Sequence, residues 1–106
     1  DVIRDRAALS RIVAGGKLEN VYRLQIMNAT ETEQRYRITA VGLENLEVAS
    51  DQEVTVGPAE TRGIAVRLQI PYGSADSGSH TVYFNVDAVT AGAGRISEKT
   101  VFLVPR

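Results

Sequence analysis

The stretch that decides the fold is Glu19-Asn20-Val21-Tyr22-Arg23-Leu24-Gln25-Ile26-Met27-Asn28-Ala29-Thr30. Its large apolar residues alternate, because Tyr22, Leu24 and Ile26 fall on one side of an extended chain and their neighbours fall on the other. A period of two with aromatic and β-branched residues predicts a half-buried β-strand. The polar residues after Met27 favour a turn, since short polar side chains hydrogen-bond their own backbone.

A second alternating run follows between Gln34 and Gly42. Tyr36, Ile38 and Ala40 share one face of this run, and two arginines and a threonine occupy the other. About five polar residues separate the two runs, so we expect the two strands to form an antiparallel hairpin. The apolar face of that hairpin must be covered, and we expect the rest of the chain to cover it.

The remaining segments also have the length and pattern of short strands. They are an edge strand with an irregular middle at Asp1–Val13, a short strand or loop at Leu43–Ser50, and strands at Gln52–Val56, Thr61–Ile70, His80–Val89 and Ile96–Val104. Residues that favour turns separate them at Ala14–Lys17, Gly57–Glu60, Pro71–Ser79 and Thr90–Gly94. The last strand alternates ambiguously, so we expect either an end buried on both faces or a bulge near Thr100.

About seven short strands, with turns roughly every 8 to 12 residues and no segment of helical period, predict an all-β fold. The most suitable architecture is an immunoglobulin-like antiparallel β-sandwich, and a barrel is the alternative. Residues that share parity within each strand should form the core. They are Tyr22, Leu24, Ile26, Ile38, Ile64, Val66, Leu68, Val82, Phe84 and Val86.

Length and composition limit the classes of function. The 106 residues suit one domain, and an apolar fraction of 43% is enough for a core without disulfides. The sequence has no cysteine, which excludes thiolate metal sites, cysteine nucleophiles and cysteine-bound iron–sulfur clusters from this segment. A net charge of −1 gives no reason to expect a nucleic acid or an anionic membrane surface as a partner.

Candidate catalytic and metal-binding residues are few. His80 is the only histidine, and no nucleophile and orienting carboxylate accompany it, so we predict a surface residue. Met27, His80, Asp76 and Asp87 can be imagined around a soft ion such as Cu(I), but one thioether and one imidazole are too few ligands. The sequence therefore predicts no catalytic residue, no cofactor site and no metal site in this segment.

Asn20 and Asn28 bracket the central strand. An asparagine at the end of a strand can satisfy backbone groups of the adjoining turn. We therefore expect both side chains to stabilise the fold and not to bind a partner.

Arg23, Arg35 and Arg37 form the candidate interaction face. They come from the two strands of the expected hairpin, so their side chains should lie close together on its exposed side. Arginine is common at protein interfaces, where its planar group pairs with carboxylates. The alternative is a solvated sheet face whose charge is offset by Glu19 and Glu33.

With these residues laid out, the chain resembles the C-terminal immunoglobulin-like domain of the FixG/CcoG/RdxA proteins. The matching pieces are Val2–Arg6, Leu9 and Leu18–Asn28. The start Asn20-Val21-Tyr22 and the end Ile26-Met27-Asn28-Ala29-Thr30 are the most specific parts.

The resemblance implies a parent that is a membrane-bound polyferredoxin, needed to mature the cbb3-type cytochrome c oxidase and involved in copper handling. The 4Fe–4S clusters of such a parent are bound by cysteines outside this segment. Residues 1–106 would then be a single domain, excised from a larger membrane protein and placed on the periplasmic side of the bacterial inner membrane. The chain would meet the membrane only through helices of that parent.

Several functions remain open for the domain itself. The first is a non-enzymatic interaction module that binds an oxidase subunit or another assembly factor, since the edge strands of a sandwich can accept a partner strand. A direct contribution to a copper site through Met27 and His80 is a second function. A structural spacer, or a secreted adhesion or carbohydrate-associated module, are the further alternatives.

Overall fold

The computed structural model describes residues 2–4, 9–89 and 95–105. Within these ranges the chain forms nine strands and no helix. They are β1 (Val2–Arg4), β2 (Leu9–Val13), β3 (Lys17–Met27), β4 (Gln34–Val41), β5 (Glu47–Val48), β6 (Glu53–Val56), β7 (Thr61–Pro71), β8 (Gly78–Ala88) and β9 (Arg95–Val104). The described residues form no helix that could span a membrane.

The strands form two antiparallel sheets, which confirms the predicted sandwich. In the first sheet, β1 and β2 both pair with one side of β3, and β7 and β5 follow on its other side. The second sheet has the order β6-β4-β8-β9. The strand number exceeds the expected seven for two reasons. The edge strand is split into β1 and β2, and the segment expected to be a short strand or loop contains the two-residue strand β5.

The expected hairpin between β3 and β4 is wrong, because these two strands lie in different sheets. The partners of β3 are β1, β2 and β7, and those of β4 are β6 and β8. Both strands carry one apolar face, and each of these faces is buried when the two sheets pack on one another. The polar turn after Asn28 therefore carries the chain from one sheet to the other.

The core follows the predicted parity. Nine of the ten predicted core residues are buried, and Ile64 is half-buried and packs against them. Tyr22 and Phe84 meet edge to face across the core, with their ring centroids 5.1 Å apart. Four buried residues complete the cluster beyond the prediction: Leu18, Val56, Ile70 and Phe102.

The last strand has an unbroken register with β8, from Gly78 opposite Val104 to Asp87 opposite Arg95. The expected bulge near Thr100 is therefore wrong. Thr100 points into the core, while Leu103 and Val104 are both half-buried, so the end of the strand is partly covered on both faces.

The predicted edge strand at the start of the chain is confirmed as β1 and β2. Arg4 lies opposite Leu24 and Leu9 lies opposite Val21. The chain advances five residues along the edge while β3 advances three, so the edge has two additional residues at this point. The irregular middle at residues 5–8 lies outside the described residues, as does the predicted hairpin tip at residues 90–94. The strand β3 runs from Lys17 to Met27, and we name the two ends of the sandwich after these residues.

Candidate functional site

The three arginines of the candidate interaction face do not share a surface. Arg23 is on the outer side of β3, in the first sheet, whereas Arg35 and Arg37 are on the outer side of β4, in the second. The expectation of one face was wrong because it depended on the hairpin. Whether any of these residues contacts a partner stays a prediction.

Arg37 belongs to a row of alternating charge that crosses the second sheet. The row runs Glu53, Arg37, Asp87 and Arg95, one residue from each strand at directly paired positions. Arg37 Nη2 lies 2.6 Å from Glu53 Oε2, and Arg95 Nε lies 2.7 Å from Asp87 Oδ1. Glu53, and not Glu19 or Glu33, offsets this arginine, and exposed pairs of this kind contribute little to affinity or stability.

The residues considered for a copper site are far apart. Met27 is at the Met27 end of the first sheet, and His80 is at the opposite end of the second, opposite Phe102. The Nε2 atom of His80 is 2.6 Å from the backbone oxygen of Asp76, and Asp87 is at the Met27 end. Met27 and His80 cannot therefore share one ion within a chain. The described residues also contain no cluster of three or more His, Asp or Glu side chains that could hold a metal.

The side chain of Asn20 bonds the backbone of the other sheet. Its Nδ2 atom donates to the backbone oxygen of Leu103 at 3.1 Å, and its Oδ1 atom accepts from the Leu103 N–H at 2.9 Å. Ser10 Oγ donates to the same Leu103 oxygen at 3.0 Å. The amide thus mimics a neighbouring strand at the outer edge of β9. Asn20 is structural, as expected, but it acts from the middle of β3 and not through a turn.

Tyr22 continues the same pattern two residues along β3. Its hydroxyl donates to the backbone oxygen of Val101 at 2.8 Å, while its ring lies in the core. Successive outward-facing backbone groups of β9, at Leu103 and Val101, are therefore bonded by successive inward-facing side chains of β3. We call this the closed edge of the sandwich.

Asn28 holds the turn at the Met27 end. Its Nδ2 atom lies within 3.0 Å of three backbone oxygens, those of Thr32, Val56 and Gly57. Its Oδ1 atom accepts from the N–H of Thr30 at 3.0 Å and from its hydroxyl at 2.6 Å. The side chain is fully buried, so the most specific parts of the sequence resemblance at Asn20, Tyr22 and Asn28 all stabilise the fold.

Glu19, expected from the sequence only as a solvent-exposed counter-charge to the arginine face, is a buried carboxylate. It lies on the outer side of β3, between Arg11 on β2 and Gln69 on β7. Arg11 Nη2 is 2.8 Å from one carboxylate oxygen, and Gln69 Nε2 is 2.6 Å from the other, with Arg67 Nη1 at 3.5 Å. Only the strand register brings these residues together, so no spacing in the sequence would have identified them.

Burial raises the pKa of the Glu19 carboxyl, but hydrogen bonds from Gln69 and Arg11 and the charges of Arg11 and Arg67 outweigh this effect. The pKa therefore lies below its ordinary value. A carboxylate that is held ionised and fully bonded is a poor general base. We therefore assign Glu19 to the stability of the first sheet.

Several clefts indent the described surface, including two with partly apolar walls. One, of about 270 Å³ at the Lys17 end, is lined mainly by apolar side chains, including Ile70, Tyr72 and Val104, and by no charged side chain. The other, of about 190 Å³, lies between β6 of the second sheet and β7 of the first, and its lining includes Val54 and Ile64. The first has no carboxylate or histidine to act as a base, and in the second the Ser50 hydroxyl oxygen already accepts from the Arg67 N–H, so both suit binding better than turnover.

Comparison with known proteins identifies the fold and the family. The family model described as "IG-like fold at C-terminal of FixG, putative oxidoreductase" matches residues 1–105. The chain belongs to this FixG C-terminal family. The crystal structure of a FixG-related protein from Vibrio parahaemolyticus matches with a TM-score of 0.80 and 26% sequence identity, over 97% of this chain and 92% of that chain. The resemblance and the immunoglobulin-like sandwich expected from the sequence are both confirmed.

More distant structures share the sandwich of the FixG C-terminal family. A protein from Archaeoglobus fulgidus matches with a TM-score of 0.60 at 14% identity, over 100% of this chain and 97% of that chain. The cupredoxin domain of amoB from Nitrosocaldus yellowstonii matches with a TM-score of 0.55 at 13% identity, over 86% of this chain and 57% of that chain. At these identities the likeness shows the fold alone. A search of the curated proteins found no significant match.

Proposed function

We propose that this FixG-type domain is a non-catalytic interaction module of a membrane-bound polyferredoxin that matures the cbb3-type cytochrome c oxidase and handles its copper. The observation that carries the proposal is the match of the FixG C-terminal model to residues 1–105. In this proposal the domain is part of a larger membrane protein and faces the periplasm. The family membership favours this function over a secreted adhesion or carbohydrate-associated module.

The geometry of the described residues supports binding of a partner protein better than catalysis of a reaction. The one histidine lies close to a backbone oxygen, the buried carboxylate of Glu19 is fully bonded, and the Ser50 hydroxyl in the smaller cleft already accepts from the Arg67 N–H. The chain has no cysteine, so the iron–sulfur clusters of the proposed parent would be bound elsewhere in it. The proposed partner is an oxidase subunit or another assembly factor.

The experiment that tests this proposal is a domain exchange in the full-length parent. One version lacks residues 1–106, and a second carries an unrelated immunoglobulin-like sandwich of the same size in their place. The measured quantities are membrane insertion, iron–sulfur content and cbb3 oxidase activity of the cells. We expect both versions to insert and to keep their clusters, and both to lose oxidase activity.

Restored oxidase activity with the unrelated sandwich would overturn the proposal and would favour the structural spacer. Normal activity without any sandwich would show that the domain has no part in oxidase maturation. Loss of the iron–sulfur clusters in both versions would assign the domain to the stability of its parent.

A further inference from the structure

The long side of the sandwich opposite the closed edge is only partly paired. The N–H of Ala49 donates to the oxygen of Arg67 at 2.8 Å, and the N–H of Arg67 donates to Ser50 Oγ at 3.1 Å. The chain then crosses to the second sheet, where the oxygen of Gln52 accepts from Ile38 at 2.7 Å. Backbone pairing along the edge of β7 that faces away from β3 therefore ends at Arg67.

The next outward-facing backbone groups of β7 follow from the alternation of an antiparallel ladder. Successive residues direct their N–H and C=O groups to opposite neighbours. Since Arg67 directs both groups outward, Ala65 and Gly63 direct theirs to the same side. These outward groups have no hydrogen-bond partner among the described residues. We call the outward groups of Gly63 and Ala65 the open edge.

Between Arg62 and Arg67, β7 lacks the features that usually protect an edge strand. Charged side chains, proline or a bulge discourage the addition of another strand. Gly63 and Ala65 are exposed and present no side chain larger than a methyl group. Gly63 has no internal requirement for glycine, since its φ is not positive and a Cβ atom there would meet only the Leu24 oxygen at 4.0 Å. A glycine inside a strand often marks the close approach of another backbone.

The cleft beside the open edge indicates the chemistry of the missing strand. Its base is apolar, because Val54 and Ile64 are half-buried there between the two sheets. Its rim includes Asp51, whose carboxylate is exposed and has no ion-pair partner among the described residues. An extended segment with one apolar side chain and a lysine or arginine beside it would complement both features.

We propose that the open edge binds an extended segment of a partner protein, which adds as a β-strand beside Gly63 and Ala65. Its apolar side chain contacts Val54 and Ile64, and its basic side chain pairs with Asp51. This inference rests on the proposed function as an interaction module, and it names the surface and the kind of segment that the surface takes. Strand addition is a common mode of peptide recognition, in which backbone hydrogen bonds supply affinity.

Amide hydrogen exchange of the unliganded chain is the first test. We expect the amides of Gly63 and Ala65 to exchange at least tenfold faster than those of Ile64 and Val66, which face β3. Equal protection of all four amides would overturn the proposal without any variant.

The second test adds a synthetic probe, an eight-residue peptide of alternating threonine and valine with a lysine at one end. We expect the peptide to slow exchange of the Gly63 and Ala65 amides at least fivefold and to give NMR contacts across the new strand pair. A matched peptide with glutamate in place of lysine should bind at least threefold more weakly, and Asp51→Lys should reverse that preference. No binding at millimolar peptide, or protection of β9 in place of β7, would contradict the proposal.

Ala65→Pro removes one outward N–H without touching the ladder to β3, and proline is tolerated in such edge positions. It should abolish peptide binding at an unchanged unfolding midpoint. Ser97→Pro, which removes an outward N–H on β9, is the matched control and should leave binding unchanged. A dimer in sedimentation that Ala65→Pro dissolves would show that a second copy occupies the edge, and would overturn the choice of partner.

The same variants separate this inference from the proposed function. In the full-length parent, Ala65→Pro should reduce oxidase activity as deletion of the domain does, while Ser97→Pro should not. Normal activity with Ala65→Pro, together with lost activity on deletion, would overturn the open edge and leave the interaction module intact. Normal activity in both would overturn the proposed function itself.

Discussion

The two long sides of this sandwich treat their strand edges in opposite ways. At the closed edge, Asn20 and Tyr22 reach from the first sheet and bond the outward backbone groups of β9. At the open edge, the segment that pairs with β7 ends at Ser50. The outward N–H and C=O groups of Gly63 and Ala65 have no such partners among the described residues. Side chains of β3 therefore occupy the outward groups of Leu103 and Val101, where another strand would otherwise pair, and no described side chain does so at Gly63 and Ala65.

Truncation of a side chain in the core that both edges share should destabilise the whole sandwich. It should give the largest change in the free energy of unfolding. Leu24 is fully buried between the sheets. Leu24→Ala should lower the free energy of unfolding by about 2 to 5 kcal/mol, because it removes buried methyl groups and leaves a cavity. Chemical denaturation measures the loss, and an effect below about 1 kcal/mol would show that the two sheets do not pack at this residue.

Asn20→Ala should damage the closed edge alone. It removes both bonds to Leu103; Ser10 Oγ still donates to the oxygen, but the half-buried N–H is left unpaired, which costs about 1 to 3 kcal/mol. We expect a lower melting temperature and faster exchange of the Leu103 amide, with the open edge unchanged. Gln25→Ala, an exposed position on the same strand, is the control and should change stability by less than about 0.5 kcal/mol. An unchanged melting temperature with lost oxidase assembly would instead make Asn20 a binding residue.

The sequence predicts which face of each strand is buried, because alternation depends only on the residues of that strand. Tyr22, Leu24 and Ile26 are buried as their parity indicates. The turn at Gly57–Glu60 is also predictable, because it depends only on residues that are close in sequence; the Glu60 N–H donates to the Gly57 oxygen at 3.2 Å. The family resemblance adds the sandwich, which periodicity alone leaves open against a barrel.

Strand partners could not be predicted, because a polar turn of the same length can join neighbours in one sheet or cross between two. That choice placed Arg23 away from Arg35 and Arg37. Glu19 and the open edge depend on register across four strands, and no local pattern encodes it. The outward groups of Gly63 and Ala65 are backbone atoms, so the sequence alone could not show that they lack partners among the described residues.

Acid should weaken the first sheet through Glu19, by a smaller amount than the loss of Asn20. The pKa of Glu19 in the folded chain lies below its ordinary value of 4.5. A carboxyl of this kind contributes stability above the ordinary pKa and loses it as the pH falls through the folded value. The difference in unfolding free energy between the wild type and Glu19→Gln should therefore shrink between about pH 7 and about pH 3. A difference that stays constant with pH would contradict the assigned ion pairs with Arg11 and Arg67.

Tyr22→Phe should weaken the closed edge more mildly than Asn20→Ala. It removes the hydrogen bond to the Val101 oxygen and keeps the ring contact with Phe84. We expect a loss of about 0.5 to 1.5 kcal/mol, near the lower end because Val101 is exposed and water can replace the hydroxyl. Tyr36→Phe is the matched control, since the Tyr36 hydroxyl has no hydrogen-bond partner among the described residues. Equal losses for both variants would show that the Tyr22 hydroxyl does not close the edge.

The smallest effect should be a gain, at the open edge. Gly63→Ala should raise the free energy of unfolding by about 0.5 to 1 kcal/mol, because glycine inside a strand loses more backbone entropy on folding than alanine. The added methyl group fits, since its nearest neighbour is the Leu24 oxygen at 4.0 Å. Gly42→Ala is the control and should destabilise, since φ is +132° there and a Cβ atom would lie 2.7 Å from the Thr81 oxygen. Thermal unfolding measures both, and a loss at Gly63 would mean that the fold itself requires this glycine.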